Sequence, residues 1–542
     1  MNGMNWRGCG ARARTLLLIV TVAAGGCAGL PPGADFPRTP SRALTQVEET
    51  PIGALFAGQS VEHGGTSGFR IMSVGVDSFL TRVQMIAAAK RTLDLQYYIF
   101  RGDETGRLLT EALLRAADRG VRVRVLVDDG ATTDGDEQLI ALDHHSSVEI
   151  RIFNPFAYRG NSTALRAIEF MFNARRLDYR MHNKLLVVDN TAALIGGRNI
   201  GNEYFQMDPE SQVADDDVFA AGPVAAKLSA TFDEYWSSQF AIPAEALGRN
   251  RGEAQGLPDH REKERGGPAK QLQTLPTQGI DYVARIATGE PYAGMIAGRL
   301  PLVWAHAQVV CDSPDKKNVE SGERSGRLML HAVAEAARAV QSELLMVTPY
   351  FIPDDEELQI LKDLRSRGAR VRILTNSLES SEELAAQSGY RQYRVPLLED
   401  GVELYEVRSL LGNTRGSGQT VAISRYGNYS LHAKLFVFDR RQLFVGSMNF
   451  DHRSKRLNTE IGLIIDSPEL AQQTAARFDA MTQPSNSYAL SLAPVDGGGR
   501  PELVWNTLEG GKPVEYTREP ARSEWQRTQV KFLSLLPMDS EL

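Results

Sequence analysis

Two short segments carry the residue types that phosphoryl chemistry needs. The first reads His182-Asn-Lys184-Leu-Leu-Val-Val-Asp189, followed by Gly196-Gly197-Arg-Asn199. The second reads His432-Ala-Lys434-Leu-Phe-Val-Phe-Asp439, followed by Gly446-Ser447-Met-Asn449. Lysine, aspartate and asparagine fall 2, 7 and 17 residues after the histidine in both copies, and the histidines are 250 residues apart. One imidazole can attack phosphorus while a second, protonated, hands its proton to the departing oxygen. Lys184, Asn199, Lys434 and Asn449 offer ammonium and amide donors for the non-bridging oxygens and for charge that grows in the transition state. The set suits a phosphate diester and requires no metal or other cofactor. A lone His-x-Lys-x4-Asp would be a weak signal; two that share the asparagine spacing are a strong one.

The run after each lysine is apolar and β-branched or aromatic, so each motif is expected on a strand. Residues two apart share a face, which projects His182 with Lys184 and His432 with Lys434. Asp189 and Asp439, counted in the same catalytic motifs, fall on the other face of a regular strand. They are better placed to fix strand ends through backbone hydrogen bonds than to touch substrate. Small residues at Gly196-Gly197 and Gly446-Ser447 let backbone approach a ligand closely.

These motifs sit inside a longer repeat. Leu93–Phe100, Thr105–Arg119 and Val121–Val127 read as strand, helix and strand. Leu344–Phe351, Asp355–Ser366 and Ala369–Thr375 read the same way, and Gly120-Val-Arg-Val-Arg-Val-Leu matches Gly368-Ala-Arg-Val-Arg-Ile-Leu. Helices are expected before each unit, around Ile86–Lys90 and Ala332–Val340. The order predicts an α/β fold, with parallel strands joined by right-handed crossovers in two similar domains. The predicted division is a leader at 1–27, a lead-in with little regular structure at 28–68, domains at 69–243 and 286–487, a linker at 244–285 and a C-terminal appendage at 488–542.

At 542 residues, 42% hydrophobic and 23% charged, the chain is a folded protein of more than one domain. A net charge of −7 with no basic tract speaks against nucleic acid as a partner. Arg7, Arg12 and Arg14 precede the apolar run Thr15–Ala24, the layout of a secretory signal. The run ends in Ala24-Gly25-Gly26-Cys27, which resembles the lipobox of bacterial lipoproteins, in which the cysteine is acylated; an ordinary cleaved signal and an uncleaved anchor are the alternatives. Loss of Cys9 and lipidation of Cys27 would leave Cys311 without a disulfide partner. The expected location is the bacterial cell envelope, as a membrane-anchored lipoprotein facing the periplasm.

With both motifs intact, the chain resembles the phospholipase D superfamily over about residues 50 to 485. That resemblance implies two similar α/β domains with one metal-independent active site at their interface. It implies a phosphohistidine on His182 and acid–base work by His432, with the reverse order open. It also implies a carboxylate after each motif that orients its histidine: Glu460 fits, and Asp215 is the counterpart, with Asp216 or Asp217 as alternatives.

Tyr97-Tyr98-Ile99-Phe100, Gly197-Arg-Asn-Ile-Gly201-Asn-Glu-Tyr204-Phe205 and Gly446-Ser-Met-Asn-Phe-Asp-His-Arg-Ser454 resemble bacterial cardiolipin synthases, most of all their C type. The implied reaction is phosphatidyl transfer between phospholipids, with phosphatidylglycerol and in some cases phosphatidylethanolamine as substrates, the membrane surface as partner and no obligate protein partner. A hydrolase that makes phosphatidic acid, a nuclease of the same superfamily and a non-catalytic lipid-binding lipoprotein are the alternatives. Ala28 resembles outer-membrane sorting signals, whereas cardiolipin synthesis points to the inner membrane. Residues Phe153–Arg180, with Phe156, Phe170, Phe172, Arg166, Arg175 and Arg176, read either as a membrane-facing collar or as a core helix with Leu165, Ile168 and Phe172 turned inward.

Overall fold

In the computed structural model the described residues are 31–130, 139, 142–160, 162–208, 211–248, 290–316, 328–411, 429–494 and 501–535. The leader with Cys27 and linker residues 249–285 lie outside them. The first half contributes β1 (Ser67–Met72), β2 (Thr92–Tyr97), β3 (Arg122–Asp128), β4 (Val148–Phe153), β5 (Leu185–Val188), β6 (Ala192–Gly196), β7 (Gln212–Ala214), β8 (Asp217–Ala221) and β9 (Ala241–Pro243). The second contributes β10 (Val303–Cys311), β11 (Glu343–Val347), β12 (Arg370–Asn376), β13 (Glu403–Val407), β14 (Tyr429–Leu431), β15 (Leu435–Phe438), β16 (Gln442–Gly446) and β17 (Ile461–Asp466). The chain then adds β18 (Ser487–Ala493), β19 (Glu502–Glu509) and β20 (Lys512–Tyr516).

The expected strand–helix–strand units are present. The helix Glu104–Asp118 joins β2 to parallel β3, and Asp355–Ser366 joins β11 to parallel β12. Each helix starts where an aspartate accepts a backbone N–H: Asp103 from Gly106, and Asp354 from Glu357 in a reciprocal capping box. Each turns into its second strand through a glycine with positive φ, Gly120 at 88° and Gly368 at 84°, which a side chain would strain.

Among the described residues one sheet of 18 strands runs through both halves. Its order is β9-β4-β3-β2-β5-β6-β8-β1-β10-β17-β16-β15-β11-β12-β13-β18-β19-β20. The order β4-β3-β2-β5-β6-β8-β1 repeats as β13-β12-β11-β15-β16-β17-β10, and the two copies meet where β1 pairs antiparallel with β10 at Gly68–Trp304. One apolar cluster crosses that seam and joins Leu185, Val187 and Ile195 to Leu435, Val437 and Val445. Burial of this shared face ties the halves into one body.

Three segments differ from the sequence expectation. The lead-in contains a helix, Pro51–Glu62, started by Thr50, whose side chain accepts from Gly53 N–H. Only Phe56 among its large side chains is buried, so its apolar stripe is too thin to read from periodicity. The linker begins with helix Ala244–Gly248. The C-terminal appendage extends the sheet itself, because β18 pairs with β13 and carries β19 and β20 onto the sheet edge.

Candidate active site

Antiparallel pairing decides where each motif ends up. Leu185 pairs with Gln96 and Val188 with Leu93, so β5 starts at the carboxyl end of β2 and finishes at its amino end. Leu435 pairs with Val347 in the same way. The strands begin only after the lysines, and His182-Asn-Lys184 and His432-Ala-Lys434 form the approach to them at the carboxyl ends of the parallel strands.

The two aspartates lie at the opposite ends, five residues or roughly 16 Å along an extended chain from the lysines. Asp189 accepts the N–H groups of Lys90, Arg91 and Thr92 at 2.9, 2.8 and 2.9 Å. Asp439 accepts those of Gln341, Ser342 and Glu343 at 2.9, 2.7 and 3.0 Å. Both adopt positive φ, near 50°, in the turn that leaves the strand. Burial acts to raise the Asp439 carboxyl, but these N–H donors outweigh it and leave the group below its ordinary value. The geometry is that of a brace at the start of β2 and β11.

Across the interface the halves exchange carboxylates. His182 Nδ1 lies 3.1 and 3.0 Å from the oxygens of Glu460, which follows the second motif. His432 Nδ1 lies 2.6 Å from Asp215, which follows the first. A carboxylate that orients the histidine of its own motif is therefore corrected: each serves the histidine of the other half. The backbone explains the crossing. His182 N–H donates to Thr459 O at 3.0 Å and His432 N–H to Ala214 O at 2.8 Å. Thr459 and Ala214 immediately precede Glu460 and Asp215, so the next side chain along reaches the ring.

The alternatives at 215–217 are settled by partners. Asp216 pairs with Arg477, and Asp217 with Arg82 and Arg198 at 3.0 and 3.2 Å, so neither meets a histidine. The carboxylates are held differently. Ser447 and Ser454 hydroxyls donate to Glu460. At the position matching Ser447, a Cβ on Gly197 would sit 2.2 Å from Asp215 Oδ1, so the shorter acid needs a glycine beside it. The Gly/Ser difference was visible in the sequence, but its meaning depends on which acid packs there.

His182 and both ammonium groups are buried, and His432 is half-buried. Burial, then the charges of Lys184 and Lys434, push His182 well below its ordinary value. Burial and Lys434 lower His432 to about 3. Burial also brings Lys184 down to about 7 and Lys434 to about 8. Burial raises Asp215 less than His432 and the cations lower it, and it remains ionised. Each lysine acts on the histidine that carries it, and Lys434 also acts on His182 and Lys184 on His432, which marks one shared site. A diester anion there would relieve the repulsion.

The asparagines split. Asn199 gives one amide hydrogen to Tyr204 Oη at 2.9 Å and accepts Ile99 N–H at 3.2 Å, so it is partly committed to the protein. Asn449 is buried, and its side-chain carbonyl oxygen has no hydrogen-bond partner among the described residues. Sequence reasoning missed the rings that steady the imidazoles: Tyr98 stands edge-on to His182 at 5.0 Å and Tyr204 to His432 at 5.4 Å. Both belong to quoted motifs, but nothing in spacing assigned them to a histidine.

The collar segment also divides. Leu165, Ile168 and Phe172 are exposed on the helix Thr163–Leu177, which removes the core-helix reading. Phe156 and Arg176 are buried, Phe156 under the guanidinium groups of Arg166 and Arg180 at 4.3 and 5.3 Å, so these two cannot face a membrane.

Two α/β halves that share a pair of crossed His–carboxylate contacts beside two lysines define a phosphodiester-processing site of phospholipase D type. The family model described as "Cardiolipin synthase, PLD-like domain" matches residues 83–236 and again 333–482. The chain belongs to this family and is a cardiolipin synthase-like enzyme. It is 35% identical to cardiolipin synthase C of Escherichia coli (strain K12) over 482 residues, 88% of this chain and 97% of that one. It is 26% identical to the major cardiolipin synthase ClsA of Bacillus subtilis (strain 168) over 412 residues, 75% of this chain and 67% of that one. The crystal structure of phosphatidylserine synthase from Haemophilus influenzae Rd KW20 shares the fold, with a TM-score of 0.51, 15% identity and coverage of 80% of this chain and 92% of that one.

Proposed function

We propose that the chain is a phosphatidyltransferase that makes cardiolipin through a phosphatidyl–histidine intermediate. The observation that carries this is the crossed pairing, which engages Nδ1 of both rings and leaves both Nε2 atoms for chemistry. Similarity to cardiolipin synthase C over 97% of that protein supports phosphatidylglycerol as acceptor.

A phospholipid phosphate enters between Lys184 and Lys434, and its negative charge raises the pKa values of both imidazoles. His182 Nε2 attacks phosphorus, the bond to the donor headgroup oxygen breaks, and His432 gives that oxygen a proton. His432, now neutral, takes the proton of a phosphatidylglycerol hydroxyl. That oxygen attacks phosphorus, the P–N bond breaks, and His182 returns to its starting state. Glu460 and Asp215 hold the tautomers and stabilise positive charge on the rings. Lipidation at Cys27 and a place in the cell envelope facing the periplasm belong to the same proposal, because an anchor keeps the site at its substrate.

The test is an incubation with vesicles that contain phosphatidylglycerol and phosphatidylethanolamine, read for lipid products. Cardiolipin is expected, with its formation lost in His182→Ala and His432→Ala. Phosphatidic acid as the sole product would replace the transfer with hydrolysis, and DNA cleavage without lipid turnover would remove both lipid reactions. Radiolabelled palmitate should enter the wild type but not Cys27→Ala; equal labelling would remove the anchor.

A further inference from the structure

The helix Thr163–Leu177, kinked at Asn173, leaves most of its large apolar side chains on its solvent side, unlike an ordinary surface helix. Three of its charged side chains, Arg166, Glu169 and Arg176, reach the protein: Glu169 accepts the N–H groups of Ala157 and Tyr158 at 2.7 and 2.8 Å. Arg166 donates to Asp129 O at 2.8 Å and Arg176 to Pro155 O at 2.7 Å. Its large apolar side chains face away, with Met171 69% and Phe172 66% exposed beside Leu165 and Ile168. At about 100° per residue, Leu165, Ile168 and Phe172 fall on one stripe with Met171 at its border. The helix follows the carboxyl end of β4 and leads directly into the His182 segment. Its C-cap, Asp178, pairs with Arg453 of the other half at 2.6 Å.

The second half also leaves large apolar side chains exposed on a helix at this end. In the helix Glu524–Leu533, Gln526 and Val530 are turned inward, and Gln526 donates to Leu378 O at 2.8 Å, just past the carboxyl end of β12. Trp525 and Phe532 are 68% and 62% exposed, exposed Lys531 flanks them, and exposed Leu535 follows just past the helix end. Each ridge therefore stands over the carboxyl ends of one half's parallel strands, the ends at which His182 and His432 meet.

We propose that the two ridges dock the enzyme on a phospholipid bilayer, with their apolar side chains in the acyl boundary and the site mouth between them at headgroup level. This rests on the phospholipid reading above. A diacyl substrate keeps its chains in the bilayer, so the face that carries the site has to meet that surface. Tryptophan with flanking lysine on an exposed helix face is the composition of an interfacial element. A second copy of the chain would need one self-complementary patch, whereas these ridges are separate and lie on different halves.

The experiment compares the full chain with Met171→Asp/Phe172→Asp and with Trp525→Asp/Phe532→Asp on two substrates. On phosphatidylglycerol and phosphatidylethanolamine vesicles each pair is expected to lower the rate about tenfold or more. On dihexanoyl phosphatidylglycerol kept monomeric both pairs should match wild type, which also shows that they fold. Phosphatidylglycerol with brominated acyl chains should quench tryptophan emission in wild type and much less in Trp525→Leu. Equal vesicle rates, or equal quenching in Trp525→Leu, would overturn the proposal. So would variants that only break up a dimer in solution. Quenching without turnover of either lipid would sink the transferase reading and leave the docking surface standing.

Discussion

Replacing Glu460 by glutamine keeps a side chain of the same size in a fully buried place but removes the charge facing His182 Nδ1 at 3.0 and 3.1 Å. A hydrogen bond to a charged group contributes about 1.5–3 kcal/mol. An ion pair near 4 Å at an effective dielectric of 20 sets an upper bound of about 4 kcal/mol once the ring is positive. At about 1.4 kcal/mol per factor of ten, kcat/KM should fall between about tenfold and a thousandfold. One of the Ser447 and Ser454 hydroxyls can still donate to the amide oxygen while the other turns to accept from the amide nitrogen, so the melting temperature should change little. The assay pairs Glu460→Gln with Asp215→Asn on a natural phospholipid and on an analogue whose leaving group is p-nitrophenolate. That leaving group needs no proton, so it should restore much of the Asp215→Asn rate, because Asp215 serves His432. It should not restore Glu460→Gln, because Glu460 serves His182, the nucleophile of the proposed mechanism. A Glu460→Gln rate within about threefold of wild type, or rescue of both variants alike, would refute the crossed assignment.

Three further outcomes follow from the geometry. Burial lowers Lys184 to about 7 from an ordinary 10.5, so between those pH values the unfolded chain holds a proton that the folded chain has released, and stability rises with pH in that window. Lys184→Met should abolish turnover yet raise the urea midpoint at pH 6, with the gain shrinking by pH 9; a midpoint that drops at pH 6 would contradict this. Gly197→Ala places a Cβ 2.2 Å from Asp215 Oδ1 and should displace that carboxylate from His432, at a cost of about 1–3 kcal/mol. Its kcat should fall while Gly120→Ala, with open space around it, costs stability alone; wild-type kcat in Gly197→Ala would count against the packing argument. Asp189→Ala strands three N–H groups and should destabilise the fold by about 3 kcal/mol or more in a denaturant titration, while activity per folded molecule survives. Loss of activity without loss of stability would instead place Asp189 in the chemistry.

Much was legible in the sequence because it is local. Histidine, lysine, aspartate and asparagine at equal spacing in two copies specify the chemistry. Alternating strand and helix patterns specify the α/β repeat. A bracing place for Asp189 and Asp439 was expected from the alternation of strand faces; the structure reaches it through strand length, since a strand that begins at one edge of the sheet ends at the other. The Pro51–Glu62 helix was not legible, because a stripe built on Phe56 and small residues carries little periodicity.

The partners of the histidines were decided only by tertiary structure. Glu460 lies 278 residues from His182 and Asp215 lies 217 from His432, and nothing in the spacing says that each reaches across the interface. The crossing exists because Thr459 and Ala214 supply backbone acceptors to the opposite half, a pairing set by how the two sheet copies meet at β1 and β10. The outward turn of Phe172 was equally hidden, since periodicity shows that a helix has two faces but not which one the protein covers. The residues at His182 and His432, and one site shared between them, were thus expected from the sequence and its resemblance, and which carboxylate serves which histidine came from the fold.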